Sequence, residues 1–304
     1  MEHTKAILLF GPTASGKSKL ALDIAKKFNG EIINADSMQV YKEIKILSAR
    51  PNNNTVRHHL YGFISAKKHF SVGSWYKLCT KKIRDINKKG KIAIVTGGTG
   101  LYFKVLIDGL VEIPEVPKLD YSYLNQQGRF HMKNHYRKRY PKIFEGINTN
   151  DIQRVSRAIS VYEYTGISLK EWQKKKNKKN FHFKDFIKIC LIPPKPELEK
   201  RIKQRFLHML KKGAIKEAKK YKELNLSLLS THTSNSIIGL NEISLFLDKK
   251  ISMEKLKEKV LIRTRQYAKR QFTWQRGQMR DWKVFSDINY TDLRKNVLTY
   301  LSKT

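Results

Sequence analysis

Short apolar runs alternate with amphipathic stretches along most of the chain. Runs typical of buried strands stand at residues 6–10, within 31–37, at 91–96 and at 186–192. Between them, apolar residues recur at intervals of three and four, for example from Leu20 to Phe28 and from Trp75 to Ile86, and this spacing predicts helices. Strands that alternate with helices predict an α/β fold, built on a parallel sheet flanked by helices.

The alternation stops near residue 115 and resumes near residue 181. Residues 115–150 are polar, basic and aromatic, which favours helices over core strands. We therefore predict an α/β core domain from residues 1–114 and 181–304, and a mostly helical insertion domain from residues 115–180. Beyond the last strand the pattern predicts further helices, the longest of which runs from about Ser252 to Gln278.

The turn after the first apolar run carries the strongest chemical signal. It fits the P-loop pattern at all four fixed positions, Gly11, Gly16, Lys17 and Ser18. The whole loop consists of Gly11, Pro12, Thr13, Ala14, Ser15, Gly16, Lys17 and Ser18. Its glycines let backbone N–H groups point at a phosphate group, and the helix start adds its positive dipole end. Lys17 supplies a cation, and Ser18 supplies a hydroxyl that can ligate Mg²⁺. The sequence thus predicts a P-loop NTPase-like fold, but the loop does not identify the molecule whose phosphates it binds.

Two other predicted strands end in polar residues. Asp36 and Ser37 follow the second run, and Thr99 lies in the glycine-rich turn 97–100 after the third, where we also expect free backbone N–H groups. Because the carboxyl ends of parallel strands meet at one edge of a sheet, these residues are expected to share a crevice with the P-loop. Each has a simpler alternative, since Asp36 and Thr99 are also common helix-capping residues.

The chain is strongly basic, with 62 Lys and Arg against 26 Asp and Glu among 304 residues, a formal net charge of +36. Such a charge favours polyanionic partners, although a lysine-rich genome composition would explain part of it. In the last long helix, no acidic residue stands between positions 260 and 280, and aromatic residues alternate with Arg265, Lys269 and Arg270. This mixture suits an RNA backbone and unstacked bases, and a solvated helix face is the alternative.

The remaining composition indicates a cellular compartment. The two cysteines, Cys79 and Cys190, match no metal-binding spacing, and reduced thiols are typical of a reducing environment. No stretch is apolar enough to predict a membrane span, and the first residues do not follow the pattern of a secretory signal. We expect a cytoplasmic monomer with no membrane partner.

Five stretches together resemble one enzyme family. They are GPTASGKS (11–18), INADSMQVY (33–41), VTGGTGLYFKVLIDGL (95–110), NDIQRVSRAISVYEYTG (150–166) and TRQYAKRQFTW (264–274). In this order, and over nearly the whole chain, they resemble the bacterial tRNA dimethylallyltransferases of the tRNA isopentenyltransferase family. One departure is the segment 118–121, which stands where relatives usually carry an arginine.

The resemblance implies transfer of a dimethylallyl group from dimethylallyl diphosphate to N6 of the adenine 3′-adjacent to the anticodon (position 37) of tRNA, with release of pyrophosphate. It implies that the P-loop and Arg205 bind the diphosphate with Mg²⁺ on Ser18, that Asp36 is the general base, and that Thr99 positions the reacting centre. It also implies contacts with the anticodon stem-loop, and to these contacts we add residues of the cationic last long helix. These residues are Asp36, Ser37, Met38, Gln39, Thr99, Gln153, Arg154, Val155, Ser156 and Arg157, with Arg265, Lys269 and Arg270.

Two other functions stay open on the residues alone. An ATP-dependent kinase would use the P-loop for ATP and would turn it over. A non-enzymatic RNA-binding protein with a P-loop would tolerate the loss of Asp36.

Overall fold

The computed structural model describes residues 4–52, 55–116, 126–175, 177–224 and 233–304. Within these residues the strands are β1 (Ala6–Phe10), β2 (Gly30–Asn34), β3 (His58–His59), β4 (Ile92–Gly97), β5 (Phe186–Leu191) and β6 (Lys283–Phe285). The helices are α1 (Lys17–Lys27), α2 (Val72–Asn87), α3 (Gly100–Asp108), α4 (Gln126–Arg139), α5 (Ile152–Thr165), α6 (Leu169–Lys174), α7 (Lys195–Lys211), α8 (Ala214–Lys222), α9 (Leu240–Leu247), α10 (Met253–Gln278) and α11 (Tyr290–Lys303). The departure noted at 118–121 lies outside the described residues.

The strands form one parallel sheet in the order β3-β2-β4-β1-β5-β6. The chain passes β4 to go from β1 to β2, and it passes β1 to go from β4 to β5. The connections that follow β1 and β4 therefore diverge, and ligands of open α/β sheets bind at such a point, beyond the carboxyl ends of the strands. The predicted α/β fold with a parallel sheet flanked by helices is confirmed.

The core explains why β1 is apolar throughout. All five of its side chains are fully buried, as expected for a strand covered on both faces. One face packs against α1 and α11 through Ile7, Leu9, Leu20, Ile24, Ile94, Ile189, Leu293, Val297 and Leu301. On the other face, the Phe10 ring meets the edge of the Phe103 ring of α3 with a centroid distance of 5.8 Å. The loop that follows β1 thus leaves the most constrained part of the sheet.

The chain divides into two compact units. The first combines the described residues up to Asp108 with the described residues from Asn180 onward and contains the sheet, and the second is built from the described residues of Gly109–Lys179. In the second unit, α5 is capped by Asp151, whose side chain accepts the N–H of Arg154, and its apolar face packs on Ile143 and Phe144. The domain limits at 115 and 180 stay a prediction. No helix of the described residues could cross a lipid bilayer.

Candidate active site

The P-loop connects β1 to α1 through a tight turn. Ala14 and Gly16 adopt left-handed φ angles of 63° and 89°. Gly11 leaves no room for a side chain, because a Cβ there would lie 2.5 Å from Oγ of Ser15. Nζ of Lys17 donates to the carbonyl oxygen of Pro12 at 3.2 Å. The sequence motif therefore folds as a compact cradle at the N-terminus of an eleven-residue helix.

Two desolvated cations stand beside this cradle. Nη1 of Arg205, on α7, donates to Oγ1 of Thr13 at 2.9 Å. Burial lowers the pKa of Lys17 to about 8; the Asp36 charge opposes this shift, and Arg205 adds to it. Burial also lowers the pKa of Arg205, again opposed by Asp36. Two buried cations that share one carboxylate favour the binding of a further anion.

Arg201 is not part of this site, although it lies one helical turn before Arg205. Its Nε donates to Oε1 of Glu197 at 2.8 Å, and its Nη2 donates to the carbonyl oxygen of Ile288 at 2.7 Å. The arginine that the resemblance singled out in α7 is therefore the one that reaches the P-loop.

Asp36 follows β2 and is held by Asn34. Oδ1 of Asn34 accepts the N–H of Asp36 at 2.8 Å, and Nδ2 donates to the carbonyl oxygen of Asp36 at 2.9 Å. Oδ1 of Asp36 accepts the N–H of Met38 at 3.0 Å, which is a local turn and not the predicted alternative of a helix cap. Within the described part of the chain, the other carboxylate oxygen makes no hydrogen bond. It is thus available to a ligand.

Thr99 ties the glycine-rich turn to the Asp36 segment. Its Oγ1 accepts the N–H of Ser37 at 3.0 Å, and its own N–H donates to the carbonyl oxygen of Ala35 at 3.1 Å. The expectation of a free N–H at Thr99 is therefore wrong, because the end of β2 uses it. Tyr267, on α10, lies close enough to Thr99 for that side chain to oppose the rise in the pKa of the Tyr267 hydroxyl.

The glycines of this turn make room for neighbouring elements. A Cβ on Gly97 would lie 2.1 Å from the main chain of Ala35, one on Gly98 would lie 2.2 Å from Nε2 of Gln271, and one on Gly100 would lie 2.2 Å from the Trp274 ring. The glycines of this turn therefore allow close packing of the segment after β2 and of α10, and the turn does not resemble a second phosphate-binding loop.

Helix α10 contributes residues that the sequence did not reveal. Gln271 contacts both glycine-containing turns, and Tyr267 is a further neighbour of Asp36: burial raises the pKa of Tyr267, and the Asp36 charge raises it further. Tyr267 and Gln271 are four residues apart and Trp274 follows three residues later, a spacing that places all three on one face of the helix and could have indicated a shared role.

A cavity of about 400 Å³ joins these parts within the first unit. Its polar wall contains Thr13, Asp36, Arg205, Arg263, Tyr267 and Arg270. Its apolar wall contains Met38, Leu47, Ile202, Phe206, Met209, Ile237, Ile238 and Val260. Its size suits a small molecule, and its two walls suit one with an anionic end and an apolar end.

The predicted RNA contacts next to Asp36 differ in accessibility. Ser37 and Met38 are half-buried. Gln39 is only 9% exposed, and its Nε2 donates to the carbonyl oxygens of Ser48 and Ala49 at 2.9 and 3.2 Å. In this conformation the Gln39 amide is hydrogen-bonded to the loop that ends near residue 50, and its contact with tRNA stays a prediction.

The predicted RNA contacts on helices lie partly at the surface. Gln153, Arg154 and Arg157 of α5 are exposed, as are Arg265, Lys269 and Arg270 of α10. Val155 is fully buried and Ser156 is 9% exposed, and the contact of these two residues with tRNA stays a prediction. Between positions 260 and 280 of the chain, Arg263 of α10 does have an acidic partner in space, because it pairs with Glu242 of α9.

Comparisons with known proteins agree with this arrangement. A family model described as IPP transferase matches residues 39–278. The chain is 45% identical over 291 residues to a tRNA dimethylallyltransferase of Pelagibacter ubique, covering 92% of this chain and 91% of the relative. It is 40% identical over 298 residues to a tRNA dimethylallyltransferase of Bartonella henselae, covering 94% of this chain and all of the relative (100%).

Solved structures show the same relationship. A tRNA isopentenylpyrophosphate transferase of Bacillus halodurans matches with a TM-score of 0.71 at 28% identity, over 98% of this chain and 95% of that one. A eukaryotic dimethylallyltransferase acting on tRNA matches with a TM-score of 0.79 at 28% identity, over 97% of this chain and 77% of that one. The predicted resemblance is therefore confirmed over nearly the whole chain.

Proposed function

The chain belongs to the IPP transferase family, and we propose that it transfers the dimethylallyl group of dimethylallyl diphosphate to N6 of the adenine 3′-adjacent to the anticodon in tRNA. The observation that carries this proposal is the single cavity in which Asp36, Arg205, the P-loop residue Thr13 and an apolar wall meet. A diphosphate needs cations, a prenyl group needs an apolar wall, and an attacking amine needs a proton acceptor.

The reaction joins these requirements in one step. N6 of the adenine attacks C1 of the prenyl group, the C1–oxygen bond breaks, and its electron pair leaves with pyrophosphate. The free carboxylate oxygen of Asp36 accepts the proton that N6 loses. Lys17 and Arg205 stabilise the charge that develops on the leaving oxygen, and they are more effective because both are desolvated. The adenine must first leave the stack of the anticodon loop, since N6 is otherwise out of reach.

Ser18 is the residue that would hold Mg²⁺. Its side chain is exposed in the first turn of α1, next to the cradle, and a hydroxyl oxygen is a ligand that Mg²⁺ accepts. The described residues contain no cluster of three or more His, Cys, Asp or Glu side chains that could hold a metal ion, and substrate phosphate oxygens commonly complete such a site. When bound, the ion would neutralise charge on the diphosphate.

The decisive experiment supplies purified protein with an unmodified tRNA transcript, Mg²⁺ and dimethylallyl diphosphate. We expect N6-(dimethylallyl)adenosine and pyrophosphate in equal amounts, measured by mass spectrometry of the digested tRNA and by a pyrophosphate assay. Asp36→Asn should abolish transfer and keep tRNA binding. ATP hydrolysis without transfer would indicate the kinase, and full activity of Asp36→Asn would remove Asp36 as the base.

We propose that exposed cations of α5 and α10 bind the tRNA backbone. The candidates are Arg154, Arg157, Arg265, Lys269 and Arg270. Replacing Arg154 or Lys269 by Gln should weaken tRNA binding and reduce the slope of log Kd against log salt by about one per lost phosphate contact. Lys219→Gln, an exposed change on α8, is the matched control. An unchanged slope in both test variants would contradict these contacts. A monomeric state and a cytoplasmic location stay predictions.

A further inference from the structure

One buried side chain joins three segments of the site. Gln271 of α10 is 4% exposed. Its Oε1 accepts the N–H of Thr13 at 2.9 Å, and its Nε2 donates to the carbonyl oxygen of Gly98 at 2.9 Å. The partners lie 258 and 173 residues earlier in the chain. Because one end of the amide faces a donor and the other faces an acceptor, only one orientation satisfies both contacts.

The space for Gln271 is created by a glycine. A Cβ on Gly98 would lie 2.2 Å from Nε2 of Gln271 and 3.4 Å from the carbonyl oxygen of Gly11. Any other residue at position 98 would therefore push the amide away from its acceptor. One helical turn on either side, Tyr267 contacts Thr99 and Trp274 packs over Gly100, so that the amide is held between two further contacts of α10.

The hydrogen bond from Thr13 to Gln271 helps to fix the first half of the P-loop. The hydroxyl of Thr13 accepts from Arg205 and its N–H donates to Gln271, so both polar groups are held by protein. Thr13 directly precedes Ala14, whose left-handed φ of 63° starts the curl of the loop. The first half of the loop is thus held by Arg205 and Gln271, and Thr13 is fixed in the lining of the cavity that we assign to the diphosphate. A cradle fixed before binding spends less of its binding energy on ordering itself.

We infer that Gln271 is a positioning residue, which fixes the distance between the P-loop and the turn at Gly98 and so prepares the diphosphate site. This inference rests on the proposed function, because it needs a diphosphate substrate. Gln271 touches neither substrate in this assignment. Its neighbours Lys269 and Arg270 are exposed on the same helix, so a competing role for Gln271 is a direct RNA contact.

Two substitutions separate the contributions of the amide. Gln271→Met keeps the length and apolar packing and removes both hydrogen bonds. Gln271→Glu keeps the acceptor for the N–H of Thr13 and loses the donor to Gly98. Gln204→Met, at an exposed position of α7, is the matched control. The measurements are KM and kcat for dimethylallyl diphosphate, its Kd in the absence of tRNA, the Kd for tRNA, and the midpoint of thermal unfolding.

We expect Gln271→Met to lose about ten- to hundredfold in kcat/KM for dimethylallyl diphosphate, the loss expected for two neutral hydrogen bonds. Its Kd for dimethylallyl diphosphate should rise while its Kd for tRNA stays within about twofold of the wild type, because one lost hydrogen bond holds the P-loop and the other holds the turn at Gly98. Gln271→Glu should lose at least as much as Gln271→Met, because its buried carboxylate would face the carbonyl oxygen of Gly98 and add negative charge beside the diphosphate site. If Gln271→Met weakens tRNA binding but not diphosphate binding, or lowers only the unfolding midpoint, the inference is wrong.

Gly98→Ala guards against a variant that fails to fold. Its methyl group displaces the amide of Gln271 from the other side of the same contact, and it should weaken diphosphate binding in the same way. Combined with Gln271→Ala, which frees the space, the two effects should be far from additive. Additive effects would contradict the inference. Absence of adenine modification by the wild type would instead refute the proposed function, and the binding measurements would still test the role of Gln271.

Discussion

Gly97 should be the least replaceable glycine of the first unit, because its neighbour is main chain. A Cβ there would lie 2.1 Å from both the carbonyl carbon and the carbonyl oxygen of Ala35, far inside the 3.4 Å at which ordinary contact begins. A side chain could rotate away, but Ala35 is anchored, since its N–H donates to Thr96 and its carbonyl accepts from Thr99. Gly97→Ala must therefore separate the ends of β2 and β4.

The expected cost lies at the upper end of overpacking, about 3 kcal/mol or more. A change of this size corresponds to a fall of about 6 to 12 °C in the unfolding midpoint. The same displacement moves Asp36, the next residue, away from the P-loop, so that kcat should fall even at temperatures at which the variant stays folded. Adding one methyl group thus tests both the packing and the placement of the proposed base.

Gly277→Ala is the matched control, since it adds the same methyl group inside α10, where a Cβ meets no atom within 4 Å. It should stabilise the chain by about 0.5 kcal/mol, because alanine favours a helix over glycine. Differential scanning fluorimetry of both variants, with the transfer assay, decides the matter. If Gly97→Ala unfolds at the wild-type temperature and transfers at the wild-type rate, the close approach of the two strand ends is wrong.

Three further predictions concern charge and buried polar groups. Lys17 has a pKa of about 8, and a bound anion must raise this pKa. The affinity for dimethylallyl diphosphate should therefore fall by up to about tenfold per pH unit above pH 8, as measured by calorimetry without tRNA. A pH profile of the affinity that is no steeper than that of Lys17→Met would contradict this prediction. The hydroxyl of Thr96 is buried and has no partner among the described residues, so Thr96→Val should raise the unfolding midpoint, whereas a loss of activity alone would assign the hydroxyl to a ligand. The Glu217 carboxylate accepts the N–H groups of Lys45, Ile46 and Leu47 at 2.7 to 2.8 Å. Glu217→Gln should lower the free energy of unfolding, measured in urea, by about 1 to 3 kcal/mol, and it should raise the KM of the transfer reaction. An unchanged KM would show that this loop does not affect binding in the cavity.

Elements with long or local signals could be predicted closely. The helix expected from Ser252 to Gln278 forms at Met253–Gln278, with Ser252 as its cap, because periodicity and capping are both local properties. The short edge strands β3 and β6 were missed. β3 has only two residues, His58 and His59, and the pairing of His59 with a buried glutamate of β2 at 2.7 Å is a tertiary contact that no local pattern announces.

The candidate site also contains parts that a local sequence pattern predicts and parts that depend on tertiary contacts. The P-loop was predictable because the sequence pattern that identifies it lies within eight consecutive residues. The turn at 97–100 was not, although it is equally rich in glycine. Its glycines are required because a Cβ at these positions would clash with Ala35, Gln271 and Trp274. These neighbours are distant in sequence, so the steric requirement could be recognised only from the folded structure.

This difference has a consequence for function. A glycine that serves its own φ angle, such as Gly16 at 89°, can be understood from one loop, and its replacement perturbs that loop. A glycine that makes room for a neighbour, such as Gly98, couples two elements, and its replacement is felt wherever the neighbour makes its other contacts. At Gln271 that other contact is the P-loop itself. A methyl group on the turn after β4 should therefore weaken a diphosphate site whose own sequence is untouched.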